Sequence, residues 1–256
     1  MQFKFHKYQA TGNDFVIIDN RDDHFPKDRT SLIQKLCHRK FGIGSDGLIL
    51  LEPSTLANFT MTFYNPDGSQ SFCGNGSRAV VSYAQSIGLI QIAGSFEAYD
   101  GIHETKIAGN LIQIKMAEVH NGRPILNGTF IDTGSPHYVE FVENLMEIDV
   151  VQKGRKLRHA AVFGPEGSNI NYVEKIGDGK ISVRTYERGV ENETLSCGTG
   201  VTASAIVAAN NGMGNAIAIH TPGGNLSVWF EQKETDYDNI WLEGPAELVF
   251  SGNINL

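Results

Sequence analysis

The sequence predicts an α/β fold of the α+β kind, made of two pseudo-symmetric halves. Each half is expected to be a curved mixed or antiparallel sheet wrapped around a central apolar helix, with the functional site in the cleft between the halves. Three observations predict this. Two stretches, Phe72-Cys73-Gly74-Asn75-Gly76-Ser77-Arg78 and Ser196-Cys197-Gly198-Thr199-Gly200-Val201-Thr202, each follow a strand-like run and open a small-residue apolar segment. The landmarks around them recur: Thr11 lies 62 residues before Cys73 and Thr133 lies 64 before Cys197, while Asp100-Gly101 and Gly223-Gly224 follow at 27 to 28 and 26 to 27 residues. The segments after both cysteines lack a polar face, and such a helix has to be covered all round. The expected halves are residues 1–118 with 245–256, carrying Cys73, and residues 119–244, carrying Cys197.

The elements follow in order. Phe3-Lys4-Phe5 and Phe15 to Ile18 read as strands either side of the turn Thr11-Gly12-Asn13-Asp14. Asp28 is expected to cap a helix with Leu32, Ile33, Leu36 and Cys37 on one face, ended by Gly42 and Gly44. Leu48 to Leu51 and Phe59 to Tyr64 are strands, and Asn65-Pro66-Asp67-Gly68 is a turn by composition. The helix after Cys73 closes at Gly88, and short strands follow at Ser95 to Tyr99, His103 to Ile107 and Leu111 to Met116. The second half repeats the order: strand Thr129 to Asp132, turn Thr133-Gly134-Ser135-Pro136, then strands His137 to Phe141, Ile170 to Val173 and Ile181 to Tyr186. A buried helix then runs from Cys197 to about Asn211, and Ile217 to Ile219, Leu226 to Phe230 and Leu248 to Phe250 finish the sheet.

Composition narrows the function. The 256 residues carry 21 Lys and Arg against 29 Asp and Glu, a net charge of −8, with no basic block. Nucleic acid and anionic membranes are therefore poor partners. The uncharged run from Cys197 to Ile219 is broken by glycines, asparagines and hydroxyls, which favours a buried helix and strand over a membrane span. Three cysteines, with no apolar leader at the start, argue against a disulfide framework and for a reducing, cytoplasmic setting.

Two cysteines in a pseudo-twofold relation suit a reaction that approaches one carbon from both faces. Inversion at a carbon bearing hydrogen is such a reaction: one base removes the proton and a conjugate acid delivers another from the far side. A thiol titrates near 8.5, and a helix N-terminus lowers that value. One thiolate can act as base while its partner, as a thiol, acts as acid. Gly74-Asn75-Gly76 and Gly198-Thr199-Gly200 supply backbone N–H groups at helix starts, a ready anion site for a carboxylate. No metal-ligand spacing and no cofactor lysine motif is present, so neither a metal nor a cofactor is expected.

These residues resemble the diaminopimelate epimerase family of cofactor-independent two-base epimerases, over nearly the full chain. The resemblance rests on Thr11-Gly12-Asn13-Asp14-Phe15, Gly42-Ile43-Gly44-Ser45-Asp46-Gly47, Asn65-Pro66-Asp67-Gly68-Ser69 and Cys73 to Arg78. It continues through Gly134-Ser135-Pro136-His137, Asn169, Tyr186-Glu187-Arg188-Gly189 and Cys197 to Gly200. It implies interconversion of LL- and meso-diaminopimelate in the lysine and peptidoglycan pathway. By it, Cys73 and Cys197 would be base and acid, and Gly74, Asn75, Gly198 and Thr199 would hold the reacting carboxylate. Asn13, Asn65, Asn169, Glu187 and Arg188 would contact the rest of the substrate, and His137 with Glu187 would tune the thiols. A homodimer is carried as the expected assembly. There are departures: Ser135 stands where many relatives have asparagine, Gly47 where some have a substrate-binding glutamine, and one extra residue separates Glu187 from Cys197.

Two other readings stay open. A proline or hydroxyproline racemase uses the same two-cysteine chemistry but carries histidine where Asn75 stands. A thiol–disulfide redox protein would bridge Cys73 and Cys197, against which stands the absence of Cys-x-x-Cys. Cys37 reads as core packing, the other histidines as scattered surface or satisfied groups, and Arg78 as a polar residue on the first turn of its helix.

Overall fold

A computed structural model describes residues 2–255. The chain divides into two compact units, Met1–Ile114 with Gly244–Leu256, and Lys115–Glu243. In the first unit the elements are β1 (Gln2–Ala10), β2 (Asn13–Asp19), α1 (Thr30–Cys37), β3 (Gly47–Glu52), β4 (Phe59–Tyr64), α2 (Gly74–Ser86), β5 (Ala93–Ala98), β6 (Gly101–Ala108) and β7 (Leu111–Lys115). The second unit holds β8 (Val119–His120), β9 (Arg123–Ile125), β10 (Gly128–Asp132), β11 (Pro136–Phe141), α3 (Val150–Arg158), β12 (Asn169–Gly177), β13 (Lys180–Glu187) and β14 (Asn192–Thr194). It continues through α4 (Gly198–Ala208), β15 (Ala216–Thr221), β16 (Gly224–Lys233) and β17 (Asp236–Pro245). The chain then returns to the first unit as β18 (Glu247–Asn255).

The internal repeat is written in strand pairing. In the first unit the order is β18-β1-β2-β3-β4-β5-β6-β7, antiparallel except for the parallel steps β2–β3 and β4–β5. In the second it is β9-β10-β11-β12-β13-β15-β16-β17, with parallel steps at β11–β12 and β13–β15. Parallel neighbours cannot be joined by a hairpin, so each such step carries a helical crossover: α1 and α2 in one unit, α3 and α4 in the other. The register agrees as well. Phe15 pairs with Gly47 and His137 with Asn169, both offset by 122 residues.

Each sheet is buried on both faces around its parallel step. Val16, Ile18, Leu48 and Leu50 join Ile33 and Leu36 of α1 in one core cluster. Successive strand residues point to opposite faces, and on the other side Ile49 and Met61 lie against Gly76 at the start of α2. The second unit repeats this, with Ile170 and Tyr172 packed with Val150 of α3 and Asn171 against Gly200 of α4. A second helix, α1 or α3, thus covers the face of each sheet opposite the small-residue helix α2 or α4. The cap of α1 is also corrected: its N-cap residue is Arg29, with no side-chain cap bond, not Asp28. The last helix stops at Ala208 and gives way to a wider turn over Ala209–Met213. Among the described residues no helix is long and apolar enough to cross a membrane.

The sequence reading missed α3, whose Gln152-Lys153-Gly154-Arg155-Lys156 looks like a solvated loop. Asp149 caps it by accepting from Gln152 N–H at 2.9 Å, and Arg155, Lys156 and Arg158 sit in its last turn, where cations suit the helix dipole. Gly154 is there for contact: a Cβ at that position would lie 2.5 Å from Cγ of Tyr186 on β13. Alanine gains ~1 kcal/mol of helix propensity over glycine, but overpacking costs ~1–3 kcal/mol. Gly154→Ala is expected to lower the urea midpoint of unfolding; a raised midpoint would show that the contact yields without strain.

Candidate functional site

Both cysteines occupy the N-cap of a helix whose first turn is buried. Cys73 has φ −136° and ψ 106°, and Cys197 has φ −129° and ψ 115°, so the two loops share one backbone conformation. A residue at this position has extended geometry while its successors are helical, which brings the first free N–H groups of the helix around its side chain. Cys73 Sγ accepts from Gly76 N–H at 3.4 Å. Cys197 is 7 % exposed, and its Sγ lies 3.5 Å from the Thr199 hydroxyl. Gly200 cannot carry a side chain, because a Cβ would meet Asn171 Oδ1 at 2.6 Å and Cys197 Sγ at 3.3 Å.

In the second unit the hydrogen atoms around Cys197 can be traced one by one. Asn171 Nδ2 faces the Tyr138 carbonyl at 3.0 Å, which can only accept, and its Oδ1 accepts from the Thr185 hydroxyl at 2.9 Å. The amide is thereby fixed, and its Nδ2 donates to Nδ1 of His137 at 3.1 Å. Nδ1 is bare, so Nε2 carries the proton and donates to Thr199 Oγ1 at 2.9 Å. The Thr199 oxygen keeps a second lone pair and its own hydrogen, so between it and Cys197 Sγ, 3.5 Å away, either group can be the donor. His137 is fully buried; burial first, and the Arg188 charge second, push its pKa down to about 3. The group that speaks to Cys197 through Thr199 is therefore a neutral imidazole of one tautomer.

Around these groups the unit gathers others. Asn169, buried at 3 % exposure, donates to Ser135 Oγ at 3.0 Å and to the Pro136 carbonyl at 2.9 Å, and accepts from Arg188 N–H at 2.7 Å. Asn169 thus ties the β10–β11 turn to the turn carrying Glu187 and Arg188, both half-buried. Ser135 is engaged in this tie.

In the first unit Asn75 Nδ2 donates to Asn13 Oδ1 at 3.2 Å, and Asn13 Nδ2 donates to Asp46 at 2.6 Å. Arg39 bridges Asp46 and Asp14, and Lys7 pairs with Asp14. Burial opposes ionisation of Asp14, but hydrogen bonds from Arg39 and Lys7 outweigh it and hold the carboxyl well below the usual range. Asn65 donates to Ser69 and Ser71 on the loop that leads to Cys73. Gly47 has no room for a side chain: a Cβ would lie 2.7 Å from Cζ of Phe63. Arg78, expected as a polar residue on the first turn of its helix, is completely buried. An arginine inside an otherwise small and apolar helix was the signal for it. Among the described residues no group of His, Cys, Asp and Glu is arranged to hold a metal ion.

Solved structures place this architecture in a class of two-unit α/β proteins. A PhzF-family phenazine biosynthesis protein of Bacillus anthracis matches with a TM-score of 0.76 at 16% identity, over all of both chains. A probable proline racemase of Agrobacterium radiobacter matches with a TM-score of 0.75 at 15% identity, over 99% of this chain and 93% of that one. The sequence is more specific. The diaminopimelate epimerase family model matches residues 5–118 and 129–249, and the chain belongs to that family. It is 49% identical to the diaminopimelate epimerase of Flavobacterium psychrophilum over 98% of this chain and 100% of the relative. It is 39% identical to that of Chlorobaculum tepidum, over 96% and 99%.

The His137 environment sets a pH dependence of stability. With its folded value depressed below the ordinary 6.5 to about 3, the unfolded chain binds the extra proton first. The stabilisation is full above the ordinary value and is lost as pH falls through that window. His137→Gln removes the titrating group, so its stability, read by urea unfolding at a series of pH values, should fall less steeply in that window. Parallel slopes for the two proteins would contradict a buried neutral imidazole.

Proposed function

We propose that the protein interconverts LL- and meso-diaminopimelate by a two-base mechanism in which Cys73 and Cys197 are the acid–base pair. The observation that carries the reading is the matched placement of both cysteines as N-caps of buried helices, in a chain 49% identical to a diaminopimelate epimerase. The reading requires both sulfurs to reach opposite sides of one α-carbon. The thiolate takes the α-proton on one face while the thiol delivers its proton on the other, and the roles exchange with direction. The two thiols then titrate as a coupled pair.

The remaining residues divide the substrate between them. The α-carboxylate is held by N–H groups at Gly74, Asn75, Gly198 and Thr199, where charge builds as the proton leaves; loss of one such donor costs about 10²–10³ in rate. Arg188 takes the distal carboxylate as a bidentate pair, Glu187 receives an ammonium group and adds its charge near the thiols, and Asn13, Asn65 and Asn169 contact the rest. His137 tunes Cys197 through the Thr199 hydroxyl. The substrate carries two ammonium and two carboxylate groups, so a site of neutral amides with one carboxylate and one guanidinium matches its balance of charge. The enzyme is placed in the cytoplasm, in lysine and peptidoglycan precursor synthesis, working without a cofactor. A homodimer belongs to the same proposal, supported by the exposed run Leu248, Val249 and Phe250 on β18.

Turnover of LL-diaminopimelate in D₂O, without added cofactor, tests the reading. Deuterium should enter the α-position, and Cys73→Ala and Cys197→Ala should each abolish epimerisation. Full activity in either variant, or turnover of L-proline in place of diaminopimelate, would defeat it.

A further inference from the structure

Arg78 stands at the second turn of α2, has no accessible surface, and makes two hydrogen bonds through one nitrogen: to Thr11 Oγ1 at 3.0 Å and to Asn75 Oδ1 at 2.9 Å. Its Nε and other terminal nitrogen have no hydrogen-bond partner. A guanidinium buried this way is costly unless a charge compensates it. Burial pushes it down to about 10, so it remains a cation near neutrality.

The counter-charge can be sought among the strands packed most closely on α2: β1, β2, β3, β4 and β18. Their carboxylates are Asp14, Asp19, Glu52 and Glu247. Asp14 is bound to Lys7 and Arg39, Asp19 to Arg21 and Glu52 to Lys27, while Glu247 is exposed to solvent beside the Gln9 amide. Lys4 on β1 is a further source of positive charge. The nearby cluster of Lys7, Asp14, Arg39 and Asp46 has two charges of each sign and so sums to zero. Among the described residues there remains Cys73, at the head of the same helix, whose charge acts favourably on Arg78.

We propose that Arg78 is the buried counter-charge of the Cys73 thiolate, a positioning residue that keeps this sulfur ionised in the resting protein and orients the Asn75 amide beside it. The orientation follows from donor and acceptor rules: Arg78 can only donate, so Asn75 presents Oδ1 to it and Nδ2 to Asn13. The second unit lacks the device. Thr202 stands five residues after Cys197, as Arg78 does after Cys73, and it bonds the Gly198 carbonyl within its own helix. Cys197 instead meets the neutral chain of Asn171, His137 and Thr199. The repeat has thus been made electrically unequal, with the ionised sulfur at Cys73 and the protonated one at Cys197. This rests on the reading of the two cysteines as an acid–base pair.

The test needs no substrate, so its failure is separable from failure of the epimerase reading, which the D₂O experiment decides alone. Iodoacetamide alkylation of each cysteine peptide is followed by mass spectrometry across the neutral pH range. In the unsubstituted protein the alkylation midpoint of Cys73 should lie below that of Cys197; the reverse order would overturn the proposal. In Arg78→Met the Cys73 rate at neutral pH should fall roughly tenfold, as for a one-unit rise in its titration, while Cys197 is not slowed. Arg78→Lys, which keeps the charge, should restore most of the Cys73 rate. An unchanged Cys73 midpoint in folded Arg78→Met, or equal slowing at both sulfurs, would also overturn it. If Arg78→Met does not fold, the order of midpoints in the unsubstituted protein decides.

Discussion

A helix that starts inside the protein cannot leave its first N–H groups to water, and this constraint shapes both units. Four amide hydrogens at each buried N-terminus need acceptors. A sulfur at the N-cap accepts from one of them weakly, as Cys73 does from Gly76. The cost of an incompletely satisfied helix start is met by packing: Ile49 and Met61 against Gly76 in one unit, Asn171 against Gly200 in the other. Gly76 and Gly200, which let the sheet approach so closely, directly follow the residues whose N–H groups are proposed to hold a carboxylate. Packing and the proposed chemistry therefore meet in the same short loops.

The two units show how a repeat keeps its backbone while its side chains diverge. Phe15 and Ile49 hold the positions that His137 and Asn171 hold in the second unit, as the shared offset of the parallel pairs shows. One unit is apolar beneath its helix start and carries a buried arginine within the helix. The other is polar beneath its helix start and carries threonine in place of the arginine. Cooperation between neutral donors in a dry interior strengthens each hydrogen bond, so the second arrangement orients a proton without placing a charge.

Much of this was legible in the sequence because glycine turns and apolar periodicity report backbone requirements directly. The spacing of Thr11 and Thr133 from the cysteines, and the turns at Gly12 and Gly134, disclosed the repeat before any pairing was known. What stayed hidden depended on tertiary contact. The helix containing Gly154 was concealed because its glycine answers to Tyr186, a residue 32 positions away. Arg78 read as a first-turn polar residue because one-dimensional pattern cannot say whether a helix has any solvent face at all. The tautomer of His137 needed the Tyr138 carbonyl, two hydrogen bonds removed, to fix an amide.

The strand β18 borders β1 over eight paired positions, yet it is separated from the rest of its unit by the whole of the other. On the ribosome, β1 emerges first and β18 only after unit 2 has been made. The Cys73 unit therefore waits with one flank of β1 unpaired while its neighbour has the means to fold. An open flank of this kind invites pairing with another chain until β18 arrives to close it.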